Sequence, residues 1–165
     1  FREREEFVPE LDLVMEKDGK LIGHIMYARA EIQADDGRKI PILAFGPISI
    51  APEYQRKGYG KILLDDSMKK AADLGAGAIC IEGNPDFYGK SGFVTASTKG
   101  IHYFAEPREA EVPYFLAREL KEGYLNGVTG PYRPPEGYFI DEEEAEQFDK
   151  SFPPKEKLKL PGQLV

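Results

Sequence analysis

Leu11, Leu13 and Met15 alternate with Asp12, Val14 and Glu16, the period of two that marks a strand. Lys17-Asp18-Gly19-Lys20 follows as a turn, because Asp-Gly takes positive φ at little cost, and Leu21 to Ala34 is the return strand of the hairpin. A second turn, Asp35 to Arg38, leads into a third strand, Ile40 to Ile50. Gly46-Pro47 interrupts that strand, which predicts a bulge or an edge where a ladder bond is absent. From Gly60 to Leu74 the period lengthens. Leu64, Met68, Ala71 and Ala72 fall on one face and Asp65, Asp66, Lys69, Lys70 and Asp73 mostly elsewhere, an amphipathic helix that Gly75 stops. Ala78 to Glu82 is a short apolar strand, Pro85 to Ser91 a short helix, and Val112 to Glu119 a late strand. Residues 1–10 mix charged and apolar side chains and are expected to be the tail of a helix or a short lead-in that ends at Pro9.

After Gly123 the pattern dissolves into a proline-punctuated tail (Pro131, Pro134, Pro135, Pro153, Pro154, Pro161). One helix interrupts it, starting at Asp141 as N-cap with Glu144 three residues on, and running to about Phe152. The element order predicts an α/β domain with a mixed, largely antiparallel central sheet flanked by helices. Residues 1–122 are expected to form the domain and 123–165 an extension packed on it or placed at an oligomer contact.

Composition narrows the class. With 165 residues, 41% hydrophobic and 12% aromatic, the chain is long enough to bury one core without staples and is not globally disordered. One cysteine, Cys80, excludes an internal disulfide framework and suits a reducing, cytoplasmic setting; between Ile79 and Ile81 it is expected to be an inert buried thiol. The net charge of −7 argues against nucleic acid and anionic membranes as partners. No apolar run approaches the 18 or more residues of a membrane span. The two histidines, His24 and His102, and the single cysteine make no metal site.

The charge is unevenly spread. Residues 136–149 hold seven acids and no Lys or Arg, leaving 22 acidic against 22 basic residues in the rest of the chain. Residues 53–61, by contrast, carry Arg56, Lys57 and Lys61 against Glu53 alone. Here a strand (Ile48, Ser49, Ile50) ends, a loop turns through Gln55, and a helix begins near Gly58-Tyr59-Gly60. Glycines let backbone N–H groups approach a ligand, and the helix N-terminus adds partial positive charge, so the segment has the makings of a pyrophosphate cradle. Leu63 stands where a dinucleotide fingerprint needs glycine, and Ile62 where a P-loop needs Ser or Thr, so it is neither.

Gln55-x-x-Gly58-x-Gly60 after a strand and before an amphipathic helix resembles the first motif of the GNAT superfamily of acyl-CoA N-acyltransferases. Asn84-Pro85-Asp86-Phe87-Tyr88-Gly89-Lys90-Ser91-Gly92-Phe93, about 25 residues on, is similar to that family's second landmark. The resemblance spans roughly residues 11–120 and is closest to the branch with Gly-Pro in the third strand. It implies that the strand carrying Ile48, Ser49 and Ile50 splays from the strand ending at Glu82, with acetyl-CoA in the opening. Backbone groups of Ile48 and Ile50 would pair with the pantetheine arm, the residues from Gln55 to Lys61 would hold the pyrophosphate, and Asn84 would contact the pantetheine. No metal is implied.

The implied chemistry is direct attack of a primary amine, on a small molecule or peptide, upon the thioester. It requires an oxyanion donor, most simply the amide of Ile48 or Ile50. It also requires an acid for the leaving thiolate, for which Tyr88 matches the family position, and a base, for which Glu82 is the first candidate. His24 is expected to be a hydrogen-bonded sheet histidine, and His102 falls where an acceptor pocket would begin. The alternatives are a non-catalytic acyl-CoA-binding or regulatory module on the same fold, and a nucleotide-binding protein unrelated to CoA. The family's N-terminal strand and helices, which wall the acceptor site, are expected to be missing ahead of the first strand here, and a homodimer is a further expectation.

Overall fold

The structure, a computed structural model, describes residues 1–154. A 3-10 turn at Pro9–Leu11 precedes β1 (Leu13–Lys17) and β2 (Lys20–Gln33), and β3 (Lys39–Ile50) completes a three-stranded meander. After α1 (Tyr59–Asp73) come β4 (Ala78–Glu82), the one-turn helix α2 (Pro85–Tyr88), and the short strands β5 (Val94–Thr95) and β6 (Ile101–Tyr103). β7 (Phe115–Glu119), β8 (Gly130–Tyr132) and α3 (Glu142–Asp149) follow.

The eight strands form one sheet in the order β5-β7-β4-β3-β2-β8-β6, with β1 also paired to β2. Pairing is antiparallel except for β3 with β4 and β6 with β8. The predicted α/β architecture with a mixed, largely antiparallel sheet is therefore what the chain adopts.

Alternation along the strands sorts side chains onto two faces. On β4, Ile79 and Ile81 join Tyr27, Phe45, Leu64, Met68 and Phe93 beneath α1, while Ala78 and Cys80 join Ile32, Phe115, Leu125 and Tyr132 on the opposite face. Cys80 is fully buried, and burial pushes its thiol far above the ordinary range, as expected of an inert core residue. Under α1 the fully buried Tyr27 hydroxyl bonds Ser67 Oγ at 2.8 Å, and Ser67 in turn donates to the Leu64 carbonyl at 2.8 Å. The buried face of α1 thus comprises Leu63, Leu64, Ser67, Met68 and Ala71. Ala72, expected on it, is exposed, because Leu63 and Ser67 pull the stripe to the other side.

The predicted bulge is present. Ile25 pairs with Ile48 and Tyr27 with Phe45, so Gly46 and Pro47, joined by a cis peptide, stand opposite the single residue Met26. β4 pairs with β3 at Leu43↔Ile79, so beyond the bulge β3 keeps β2 as its sole neighbour among the described residues. His24 lies on the sheet with Nε2 2.7 Å from Asp12 Oδ1, as expected of a satisfied sheet histidine.

The irregular tail expected after Gly123 is corrected over part of its length. β8 inserts between β2 and β6, through Ile32↔Tyr132 and three pairs from Ile101↔Gly130 to Tyr103↔Tyr132. Leu125, Val128 and Tyr132 are buried. Thr129 and Arg108 both donate to Asp35, whose carboxyl they hold down at about 2, Arg108 more strongly. α3 begins where expected, with Asp141 accepting from the amides of Glu143 (2.9 Å) and Glu144 (3.0 Å), and it ends at Asp149. Pro161, the last proline of the expected tail, lies outside the described residues.

Candidate functional site

The unpaired end of β3 opens a cleft of about 860 Å³, walled by Ile48, Ser49 and Ile50, by the loop and first turn of α1, and by Phe87, Tyr88 and Lys90. Its geometry follows from three backbone features. Along a strand, successive residues point their N–H and C=O groups to alternate sides. Ala51 donates to the Ile22 carbonyl on β2 at 2.8 Å, so Ile50 and Ile48 turn theirs away from β2, toward the cleft. Gln55 Nε2 donates to the Ile50 carbonyl at 2.8 Å, tying the loop to the strand end and leaving Ile48 with open backbone groups.

Arg56 and Gly58 both take positive φ, at 56° and 88°, which bends the loop so that the chain enters α1 beside the strand. Among the described residues, the amides of residues 56–61 donate to no acceptor, the first bond of the helix being Ile62 to the Gly58 carbonyl at 3.1 Å. These are the orphan donors of a helix start, and with the dipole of a 15-residue helix they favour an anion. Arg56 and Lys61 line the same wall, Lys61 also pairing with Asp65 one turn on.

The opposite wall is aromatic. The Tyr88 ring packs on Phe45, Phe87 and Phe93 at centroid distances of 5.8, 4.9 and 5.7 Å, and burial raises its hydroxyl above the usual tyrosine range. One edge of it lies against the backbone of Gly83, where a Cβ would come 2.2 Å from Tyr88 Cε2. A protonated phenol in a partly desolvated cleft can donate to a developing anion.

Not every sequence-predicted residue reaches the cleft. Ile48, Ser49, Ile50, Gln55, Arg56, Gly58, Gly60, Lys61 and Tyr88 line it. Lys57 instead donates to the Glu53 carbonyl at 2.7 Å and lies over the Tyr54 ring, and Tyr59 stacks edge-on against Tyr54. Asn84 caps α2, its side chain accepting from the Asp86 amide at 2.8 Å. Glu82 follows Ile81 on the opposite face of the sheet, where it accepts from the Tyr103 hydroxyl at 2.9 Å. His102 sits on β6, where burial and then Arg108 lower its ring below the usual range. Phe87 and Lys90, which the sequence reading does not name, also line the cleft; their signal in the sequence is that they flank Tyr88, one residue before it and two after. Among the described residues, no group of His, Cys, Asp and Glu side chains is arranged to hold a metal ion, and no helix is long and apolar enough to cross a membrane.

Residues 1–93 match the acetyltransferase (GNAT) family. An uncharacterized N-acetyltransferase of Escherichia coli strain K12, YjhQ, is 32% identical over 86 residues, which are 52% of this chain and 46% of that protein. The chain thus aligns with about half the length of that relative. Among solved structures, the Escherichia coli GNAT family N-acetyltransferase YhbS, in complex with CoA, superposes with a TM-score of 0.62 at 23% identity, over 72% of this chain and 63% of that one. A GNAT family acetyltransferase from Brucella melitensis, in complex with acetyl-CoA, superposes with a TM-score of 0.56 at 21% identity, over 76% and 66%. Both likenesses concern the fold.

Proposed function

The chain belongs to the acetyltransferase (GNAT) family, and on that premise we propose that it moves the acetyl group of acetyl-CoA to a primary amine by direct attack through a tetrahedral intermediate. The observation that carries this reading is the cleft itself. One wall offers open strand backbone at Ile48, the next offers unpaired amides at a helix start, and the third offers a raised, protonated Tyr88. Those three features match the three parts of an acyl-CoA: an amide-bearing arm, a pyrophosphate and a thioester.

In this reading the pantetheine lies along Ile48 to Ile50 as an added strand, its amides meeting backbone groups that no protein strand uses. Because Gln55 already occupies the Ile50 carbonyl, Ile48 supplies the principal pairing. The pyrophosphate rests on the amides from Arg56 to Lys61, with Arg56 and Lys61 adding charge. Lys57, Tyr59 and Asn84 act on the shape of loop and helix rather than on the ligand.

Glu82 stands outside the cleft, on the other face of the sheet, so in this reading the acceptor ammonium comes from that face and loses one proton to Glu82, or to a water that Glu82 holds. The neutral nitrogen then attacks the acetyl carbon, a C–N bond forms, and the carbonyl oxygen becomes an oxyanion beside the Ile48 amide. Collapse breaks the C–S bond, the nitrogen releases a second proton, and Tyr88 protonates the CoA thiolate. The products are the acetamide, CoA thiol and one proton. Burial favours Tyr88 in this role because it keeps the phenol protonated at neutral pH while leaving it in contact with the cleft.

Isothermal titration with acetyl-CoA, paired with an assay of thiol release in the presence of amines, tests the reading. Binding of acetyl-CoA with turnover that falls at least a hundredfold in Tyr88→Phe supports it. Binding without turnover on any amine turns it into an acyl-CoA-binding module, and equal stabilisation by ATP or NAD removes the CoA assignment.

A further inference from the structure

On the far face of the sheet from α1 a second hollow, about 400 Å³, adjoins the same bulge of β3. Met26, Gly46 and Pro47 form its floor, Tyr138 and Ile140 of the tail one side, and Phe1 another. Phe1 is held there by Phe7 and Tyr138, at centroid distances of 6.1 and 5.4 Å. Among the described residues the wall is apolar, with Ile140 73% exposed, and its size falls within the ~300–1,000 Å³ of small-molecule sites. Behind that wall the Tyr138 hydroxyl is buried with no hydrogen-bond partner among the described residues, and burial raises it above the usual tyrosine range.

The position of the hollow matters more than its size. Gly46 and Pro47 line the hollow and Ile48 lines the cleft, so adjacent residues of one strand, ~3.3 Å apart, separate the two cavities. A thioester carbonyl held at the Ile48 amide would thus stand one residue along the strand from a group held in the hollow. The approach carries one negative charge: Glu82 ends β4 on this same face, held by the Tyr103 hydroxyl. By strand alternation Glu82 shares the face of Cys80 and Met26 that of Ile32, and those two pack in one core layer, so the carboxylate and the hollow lie on one side of the sheet.

Resting on the acetyltransferase reading above, we infer that the hollow selects the acceptor, and that the acceptor is a primary amine borne on an apolar body, an arylalkyl- or alkylamine rather than a polyamine or a sugar amine. The ammonium approaches Glu82, the nitrogen points through the bulge at Ile48, and the ring or alkyl chain covers Met26, Pro47 and Ile140. Desolvating that body is the source of selectivity, so affinity grows with apolar area.

The experiment has two arms, both on the full-length protein. Acetyl-CoA binding by titration calorimetry tests the cleft alone. Thiol release is then followed with ethanolamine, phenethylamine, spermidine and a straight-chain series from propylamine to hexylamine. The inference expects kcat/KM to rise about fourfold per added methylene, and phenethylamine to exceed ethanolamine by at least tenfold. Ile140→Asp, a change at an exposed position, drives that ratio toward one. Acetyl-CoA binding with a flat series, or with spermidine preferred, overturns the inference and leaves the acetyltransferase reading standing. Absence of acetyl-CoA binding overturns both. Sedimentation that shows a dimer dissociated by Ile140→Asp, without any amine preference, also overturns it and makes a second copy the occupant of the hollow.

Discussion

Gly83 lies between the strand that ends at Glu82 and the Asn84 cap of α2, and the Tyr88 ring covers it. A methyl group at this position would stand 2.2 Å from Tyr88 Cε2, 2.6 Å from Cδ2 and 3.2 Å from Cζ. Carbon atoms pack best at about 3.5–4.0 Å, so Gly83→Ala must push the ring away by roughly 1.5 Å. The ring has little room to yield, since Phe45, Phe87 and Phe93 border it. Overpacking of this kind costs about 1–3 kcal/mol of stability, and a displacement near 1 Å at a reacting group costs on the order of a hundredfold in rate. Urea denaturation and steady-state thiol release on the same preparation measure the two losses. The decisive comparison is a double-mutant cycle with Tyr88→Phe. If Tyr88 is the proton donor and Gly83→Ala acts by moving it, the alanine lowers kcat in the wild-type background and adds almost nothing in the phenylalanine background. Full activity in a folded Gly83→Ala protein, or equal losses in both backgrounds, refutes the assignment of Tyr88 as the acid.

Gly58→Ala meets nothing within 4 Å but holds φ at 88°, so it costs about 1–2 kcal/mol through backbone strain alone. Calorimetry should show acetyl-CoA affinity falling about tenfold or more as the amides turn from the cleft. Tyr27→Phe removes the buried bond to Ser67 while Ser67 keeps the Leu64 carbonyl; urea midpoints should report a loss near ~1 kcal/mol. Asp35 titrates at about 2 in the folded chain because Arg108 and Thr129 bond it, below the ~3.9 of an unfolded aspartate. Its stabilising contribution is complete above pH ~4 and fades as pH falls through ~2. Acid denaturation of Asp35→Asn should lack that component, and an unchanged acid profile would show that the Arg108 clip contributes nothing.

Sequence and structure divide the protein along a physical line. The meander, α1, β4 and the α2 segment were legible because each is written by neighbours: a period of two or 3.6, an Asp-Gly turn, a glycine able to hold positive φ. The bulge was legible for the same reason, since Pro47 cannot complete the ladder wherever it sits. So was the loop that enters α1, because the glycine spacing that leaves its amides unpaired is a property of six consecutive residues. What the sequence concealed depends on partners far along the chain. β8 is Gly-Pro-Tyr, three residues without a period, and is a strand only because Tyr132 meets Ile32 and Tyr103. Glu82 and Tyr88 are six residues apart and were read together, yet they lie on opposite faces, because strand alternation carries Glu82 away from Ile81 before α2 turns Tyr88 back under α1. The hollow joins Met26, Pro47 and Ile140, whose separation along the chain no local pattern spans. Local chemistry wrote the cradle and its loop; only the closing of the sheet, which brings residues more than a hundred positions apart into one wall, decided what lies on the other side of it.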